Sequence, residues 1–260
     1  MWKIIKYSIA DLIRSRWSYI YFAFYLLVGF TLLFLSSDLS DAILTIMNIV
    51  IIIVPLIGSL FGIMYFYNSR EFIELLLSMP IKRTTIFIGQ YLGLAISLSS
   101  SLILGLGIPF LFYGIFSDAS IFEFLSLLMI GTFLTFIFSG ISYNIGLRCD
   151  NKIKGFGLTI LVWLLLAVIY DGIFLIILNV FGDYPLEKFS LIISISNPID
   201  LARIMLLLKL DVSALLGYTG AVFKEFFGSS KGSFISFLIL CIWTFFLFTI
   251  LHRKSHNKDF

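Results

Sequence analysis

The chain has 260 residues, of which 60% are hydrophobic and 13% are charged, and it carries a formal net charge of +3 with a mean hydropathy of +1.07. A soluble domain is about half apolar and about one quarter charged, so this composition excludes an ordinary soluble protein. Apolar runs of about 20 residues, the length that crosses a bilayer as a helix, recur along the chain. Barrel strands are about half as long and alternate in polarity, so the sequence predicts an all-α membrane protein.

Residues 1–16 have the pattern of an amphipathic helix that lies on the membrane surface. Asp11, Arg14 and Arg16 interrupt the stretch where a cleavable signal peptide would need an apolar core, so we expect this helix to be retained. The apolar face of this helix consists of Trp2, Ile5, Ile9, Leu12 and Ile13.

Six membrane spans follow, and the chain is predicted to form a single transmembrane domain over residues 1–260. The third span is long enough to be tilted or broken near Gly105, Gly107 and Pro109. A cytosolic segment at 68–85 separates the second and third spans, and an outer segment at 179–232 separates the last two. The predicted spans are 17–35, 43–67, 86–116, 125–146, 156–178 and 233–251.

The distribution of lysine and arginine predicts the orientation of the chain. Thirteen of these residues lie in the N-terminal helix, the 68–85 segment, the loop after the fourth span and the C-terminal tail, whereas the two short loops on the other side have none. Those two loops carry four carboxylates instead. We therefore expect a multi-pass membrane protein with both termini in the cytosol.

The segment from Asn68 to Arg83 combines charge, an amphipathic helix and a proline stop. Pro80 ends the helix because a proline further inside would lose a backbone donor and clash with the preceding turn. Two interpretations stay open: a lever gripped by a soluble partner, or an ordinary interfacial helix with its apolar face on lipid. The predicted apolar face consists of Phe72, Leu75, Leu76 and Met79, at i, i+3, i+4 and i+7. The predicted polar face consists of Glu71, Glu74 and Ser78, and the basic residues Lys82 and Arg83 follow the proline.

Asp171 is the only carboxylate inside a predicted span. A charge at the bilayer centre costs roughly 2.5–3.5 kcal/mol, so we expect Asp171 to face protein or water. It lies about 15 residues into the fifth span, or roughly 22 Å from its cytosolic end at about 1.5 Å per residue. Asp171 and Gly172 therefore mark either a gate or a place where the fifth helix breaks near the outer surface.

The outer segment contains a helix start at Asn197. An asparagine is a good N-cap, and Pro198 suits the first turn because its missing donor is harmless there. In a second piece at 211–227, Gly217 and Gly220 indicate a turn or a close backbone approach. The segment is either a docking surface for an exported partner, part of an outer gate, or a set of helices lying on the outer leaflet.

The sequence contains no recognisable nucleotide-binding, catalytic or metal-binding motif. It lacks a phosphate-binding loop of the Gly-x-x-x-x-Gly-Lys-Ser/Thr type and a His-Glu-x-x-His helix, and its two histidines, His252 and His256, lie in the tail. The cysteines and the scattered methionines lack the spacing of a metal site, so no metal ligand is predicted. We expect a non-enzymatic protein that binds no cofactor itself, and any coupling to ATP requires a separate ATPase subunit.

The stretch Glu74-Leu75-Leu76-Leu77-Ser78-Met79-Pro80-Ile81-Lys82-Arg83, continuing to Gly93, resembles the coupling region of ABC-2 type transporter permeases. The six spans, the cytosolic termini and the amphipathic N-terminal helix match that family as well. The resemblance implies an ABC-2 (type V exporter-like) fold and an ABC ATPase partner, which binds ATP and magnesium. It also implies that the ATPase is contacted by Glu71, Phe72, Glu74, Leu75, Leu76, Met79, Pro80, Lys82 and Arg83.

The outer stretches from Asn197 to Arg203 and from Leu210 to Phe223 resemble, more narrowly, permeases that support copper-site maturation of nitrous oxide reductase. That resemblance implies a homodimer of this chain in the bacterial cytoplasmic (inner) membrane, two cytosolic ATPase subunits and a periplasmic partner protein. The alternatives are a generic ABC-2 exporter of a lipid, peptide or drug, and a membrane scaffold that transports nothing. The implied contacts to the outer partner are Asn197, Pro198, Asp200, Arg203, Gly217, Tyr218 and Gly220.

Overall fold

The computed structural model of the chain describes residues 2–36, 38–78, 80–180, 187–209 and 230–256. Within these ranges the regular structure is helical, and six helices are long and apolar enough to cross a membrane. The predicted fold class, an all-α membrane protein with six spanning helices and an amphipathic N-terminal helix, is thereby confirmed.

The helices that are candidates to span the membrane are longer than α1, α4, α9 and α10. The fifth span is made of α7, a π-helical turn at Leu165–Ile169 and α8. In chain order the helices are α1 (Trp2–Arg14), α2 (Arg16–Leu35), α3 (Leu39–Asn68), α4 (Arg70–Leu77), α5 (Arg83–Phe112), α6 (Ile121–Gly146), α7 (Lys152–Leu164), α8 (Tyr170–Val180), α9 (Glu187–Ser196), α10 (Pro198–Lys209) and α11 (Ser230–His256).

Three spans form the centre of the bundle. In the most apolar part of each helix, 61% of the residues of α5, 50% of those of α3 and 44% of those of α6 are buried, against none in the fifth span. Small residues let these helices approach closely, as is common where lipid supplies no hydrophobic drive for helix association. A Cβ on Gly62 of α3, for example, would lie 1.9 Å from Oγ of Ser142 on α6.

The third span is a single unbroken helix, α5, that passes through Gly105, Gly107 and Pro109. Of the two alternatives, a tilted or a broken span, the broken one is excluded, and α2 packs on this part of α5: a Cβ on Gly105 would lie 2.8 Å from Cβ of Tyr25. Gly105 therefore serves close helix packing. The helical irregularity lies instead in the fifth span, at Leu165–Ile169.

Helices α9 and α10 form a hairpin bent by 112° at Asn197, where the chain changes direction. The interpretation of α10 as a helix lying on the outer leaflet is wrong, because α10 contacts α3 and α6 inside the bundle. Its apolar residues are distributed around the helix, so all sides can be packed. Its buried residues are Pro198, Ile199, Asp200, Leu201, Ala202, Ile204, Met205, Leu206 and Leu207.

Candidate coupling site and a buried polar cluster

Helix α4 follows α3 after a single residue, Ser69. The backbone N–H of Ser69 donates to the carbonyl of Tyr65 at 2.9 Å, and its hydroxyl donates to the same oxygen at 2.7 Å. This turn joins α4 firmly to α3, and α4 also contacts α5. A displacement of α4 is therefore passed directly to two of the three central helices.

The face of α4 that packs on the bundle contains only part of the predicted apolar face. Ile73 is fully buried and Leu76 nearly so, whereas Leu75 is 55% exposed. Phe72 packs sideways on α1, where its ring stacks on that of Tyr7 with centroids 4.6 Å apart. Leu75, which the sequence pattern groups with the apolar face, is thus exposed, whereas Ile73, which that pattern leaves out, packs on the bundle. Met79 lies outside the described residues.

The outer face of α4 is acidic with an apolar centre. Glu71, Glu74 and Ser78 are exposed, as predicted, and Leu75 lies among them. Glu74 Oε1 accepts a hydrogen bond from Arg70 Nε at 3.1 Å. An exposed i,i+4 ion pair of this kind contributes only about 0.3–0.5 kcal/mol, so a partner with a basic groove can compete for Glu74 at little cost.

The chain after α4 is exposed on the same membrane surface. Pro80, Lys82 and Arg83 are all exposed, and α5 begins at Arg83. The acidic outer face of α4 is thus followed by two basic residues at the entry to α5. This set of charges can bind a protein surface that presents both a basic groove and acidic residues.

The loop between α6 and α7 lies beside the end of α3, which the sequence analysis did not foresee. The Tyr67 hydroxyl donates to the carbonyl of Cys149 at 2.7 Å, and Lys152 Nζ donates to Oδ1 of Asn68 at 3.2 Å. The side chain of Ile153, which follows Lys152 in the chain, is 82% exposed. Residues 148–154 therefore form a second surface next to α4, which we call the basic loop.

Two local signals mark the basic loop in the sequence. Asn151 caps α7, because its Oδ1 accepts the backbone N–H groups of Ile153 and Lys154. Gly155 leaves room for the Tyr67 ring, since a Cβ there would lie 2.1 Å from the tyrosine oxygen. The pairing of Tyr67 with this loop spans 82 residues of chain, so no local pattern could have indicated it.

A buried polar cluster connects α10 to the fifth span. Arg203 Nη1 donates to Asp171 Oδ2, and it lies 3.6 Å from Asp200 Oδ1. The exposed fractions of the Asp171, Arg203 and Asp200 side chains are 22%, 31% and 7%. Charges in the membrane interior need partners, and Arg203 serves both carboxylates.

The hairpin bend is held against the π-helical turn by hydrogen bonds. Asn197 Nδ2 donates to the carbonyl of Leu166 at 2.8 Å, and the Tyr170 hydroxyl donates to the carbonyl of Ile193 at 2.7 Å. A π-turn shifts the helical hydrogen-bonding pattern and is often found at functional sites. Asn197 also caps α10 as predicted, since its Oδ1 accepts the N–H of Ile199 at 3.1 Å.

The predicted outer-site residues are thus distributed unevenly. Asn197, Pro198 and Asp200 are buried within the chain and make intramolecular contacts, whereas Gly217, Tyr218 and Gly220 lie outside the described residues. Contact of these residues with an outer partner stays a prediction. The helix is not broken at Gly172, which lies within α8, and a Cβ there would have no atom within 4 Å. The irregular part of the fifth span is instead the π-helical turn at Leu165–Ile169, just before α8.

Comparison with known proteins identifies a distant relative. The chain is 22% identical over 222 residues to a probable ABC transporter permease protein NosY from Stutzerimonas stutzeri, an alignment that covers 79% of this chain and 80% of the relative. No protein-family model matches the chain. The similarity supports a transport subunit of the ABC permease type, which agrees with the six apolar helices.

Proposed function

We propose that this chain is the membrane subunit of an ABC transporter and that the outer face of α4 receives its ATPase. The observation that carries this proposal is the exposed acidic face around Leu75 on a helix fixed to α3 and α5. The ATPase is a separate subunit that binds ATP and magnesium, because the chain has no phosphate-binding loop of its own. The basic loop beside Tyr67 adds a second contact of opposite charge.

Movement of the ATPase acts on the central helices through α4. Closure of an ATP-bound ATPase pair pushes α4, and the Ser69 turn passes the push to α3. Helix α3 contacts α6 and α10, so the displacement reaches the buried polar cluster. In this mechanism the ion pair between Arg203 and Asp171 is the gate element: it holds the hairpin against the fifth span and breaks when α10 moves.

We propose that the transporter to which this chain belongs is of the NosY type. The similarity over 79% of the chain supports this choice over a generic exporter. The chain would then act as a homodimer with two NosF-type ATPase subunits and a periplasmic NosD-type protein. Its role would be to couple cytosolic ATP hydrolysis to a periplasmic step in copper-site maturation of nitrous oxide reductase.

The partner set is tested by affinity purification in mild detergent followed by mass spectrometry. An ABC ATPase together with a periplasmic partner is the expected result, and it would justify measuring copper in nitrous oxide reductase from a deletion strain. An ATPase without a periplasmic partner would point to the generic exporter. Absence of any ATPase would contradict the role of α4.

The coupling role of α4 is tested with Glu74→Lys. We expect normal membrane insertion but ATP turnover uncoupled from copper loading of the reductase, because a reversed charge repels the basic groove that Glu74 occupies. The matched control is Asp41→Lys, the same reversal at an exposed position at the opposite end of α3. Unchanged coupling in Glu74→Lys, or equal loss in both variants, would refute the proposed docking face.

A further inference from the structure

A cavity of about 480 Å³ lies between α1, the end of α3 and the start of α4. Of the described residues that line it, Asp11 and Arg14 carry charge, and they lie one turn apart on α1. Neither belongs to the coupling face or to the buried polar cluster. Because their charges are opposite, the cavity suits a ligand that carries one positive and one negative group.

The polarity of the cavity changes along α3. Phe61 and Met64 line its deeper part, whereas Asn68 lines it at the end of the helix. Phe61 and Asn68 are seven residues apart, or about 10 Å along the axis. The interfacial layer of each leaflet is about 5–8 Å thick, so the cavity extends from the headgroup layer into the acyl-chain region.

Trp17 places the mouth of the cavity at the membrane boundary. It lies in the first turn of α2, is 52% exposed and packs edge-on against Phe61 with ring centroids 6.3 Å apart. Tryptophan is enriched at the depth of the lipid headgroups. A soluble ligand would use only the charged end of this cavity and would leave the apolar wall unfilled.

We propose that this cavity binds a zwitterionic phospholipid with a primary amine, such as phosphatidylethanolamine. The Arg14 guanidinium pairs with the phosphate, and the Asp11 carboxylate accepts hydrogen bonds from the ammonium group. The aromatic ring of Tyr7, which is also part of the lining, adds a cation–π contact to that ammonium group. The acyl chains leave past Phe61 and Met64 into the bilayer.

A lipid at this position touches three elements at once. Phe72 of α4 lines the cavity and stacks on Tyr7 of α1, while Asn68 and Ser69 line it from the junction of α3 and α4. The bound lipid would therefore brace α4 between α1 and α3. Bilayer composition then affects how rigidly α4 is held.

The lipid site is tested by delipidating the purified chain in detergent and measuring rebinding by native mass spectrometry. The probes are phosphatidylethanolamine, phosphatidylcholine and phosphatidylglycerol with identical acyl chains. We expect phosphatidylethanolamine to be retained preferentially, because phosphatidylcholine lacks N–H donors and phosphatidylglycerol lacks the positive charge. Asp11→Asn and Arg14→Gln should each weaken its binding about tenfold, as expected for the loss of one charged hydrogen bond.

The matched control is Lys6→Gln, which removes a charge from an exposed position of the same helix outside the cavity lining. Asp11 and Arg14 are themselves exposed, so these variants are expected to fold normally. Equal retention of the three lipids, or unchanged binding in both cavity variants, would mean that lipid binds there without headgroup selectivity, and it would overturn the proposal. Equal competition by glycerophosphoethanolamine, which has no acyl chains, would overturn the choice of a lipid over a soluble ligand.

Discussion

Arg203 lies between two carboxylates, Asp171 on the fifth span and Asp200 one turn earlier on its own helix. The guanidinium is the only positive group among these three described side chains. Removal of either carboxylate leaves one ion pair intact. Removal of Arg203 leaves two acidic groups close together without their shared positive partner, which favours separation of α10 from the fifth span.

The charge balance predicts unequal effects of two substitutions. Arg203→Gln should destabilise the protein by about 1.5–3 kcal/mol, the contribution of hydrogen bonds to charged groups, and Asp171→Asn should cost clearly less. The measurement is thermal unfolding in detergent, followed by size-exclusion chromatography. Lys209→Gln, at the exposed end of α10, serves as the control for loss of a positive charge. Equal melting temperatures of Arg203→Gln and Asp171→Asn would contradict a shared guanidinium.

At the scale of elements, α4 depends on its neighbours. A helix of 8 residues is too short to be stable alone in water, so its conformation comes from packing. Ile73 and Leu76 attach it to the bundle, and the stacking of Phe72 on Tyr7 attaches it to α1. The helix can therefore transmit a push without unfolding, provided that α1 keeps its place.

The position of α1 depends on close contact with α5 at Gly93. A Cβ at this position would lie 2.5 Å from Cβ of Ser8 and 3.3 Å from the carbonyl oxygen of Ile5. We expect Gly93→Ala to displace α1 and to cost about 1–3 kcal/mol, as overpacking does in cores. The melting temperature in detergent measures this cost.

Gly107→Ala is the matched control for Gly93→Ala. It lies on the same helix, α5, and a Cβ there would have no atom within 4 Å. Because alanine favours helix more than glycine does, this variant should melt no lower than the parent. A Gly93→Ala protein that melts like Gly107→Ala would show that α1 is not packed tightly on α5.

For the whole molecule, the arrangement of three central and three outer spans explains how a small surface element can act at a distance. Helices α3, α5 and α6 are buried against one another, while the most apolar part of the fifth span is exposed. Displacement at one end of α3 is therefore carried by packed neighbours. The fifth span packs on α3 and α6 through α7, and it is joined to the hairpin by hydrogen bonds to Asn197 and Arg203.

The orientation of the whole molecule is predicted from its charges and can be measured by labelling. In a background where Cys149 and Cys241 are replaced by serine, Phe116→Cys and Ile153→Cys form a matched pair of highly exposed apolar positions at opposite ends of the bundle. A membrane-impermeant maleimide should label Phe116→Cys in intact spheroplasts and Ile153→Cys only after permeabilisation. The opposite pattern would reverse the orientation and place α4 outside the cytosol.

The sequence alone determined the membrane class, the spans, the amphipathic α1 and the amphipathic segment around α4. These features follow from the lengths and spacings of apolar residues, which act locally. The need of Asp171 for a partner and the helix start at Asn197 were also predictable, because a buried charge must be paired and a cap is encoded within one turn.

Only the tertiary structure decided which residues meet. Arg203 is 32 residues from Asp171, and Tyr67 is 82 residues from Cys149, so packing between helices brings them together. The face of α4 that is buried, with Ile73 inside and Leu75 outside, depends on how α4 packs on α3 and α5. In nearly uniformly apolar helices the hydrophobic pattern specifies no direction, so shape, small residues and the few polar contacts determine how these helices are arranged.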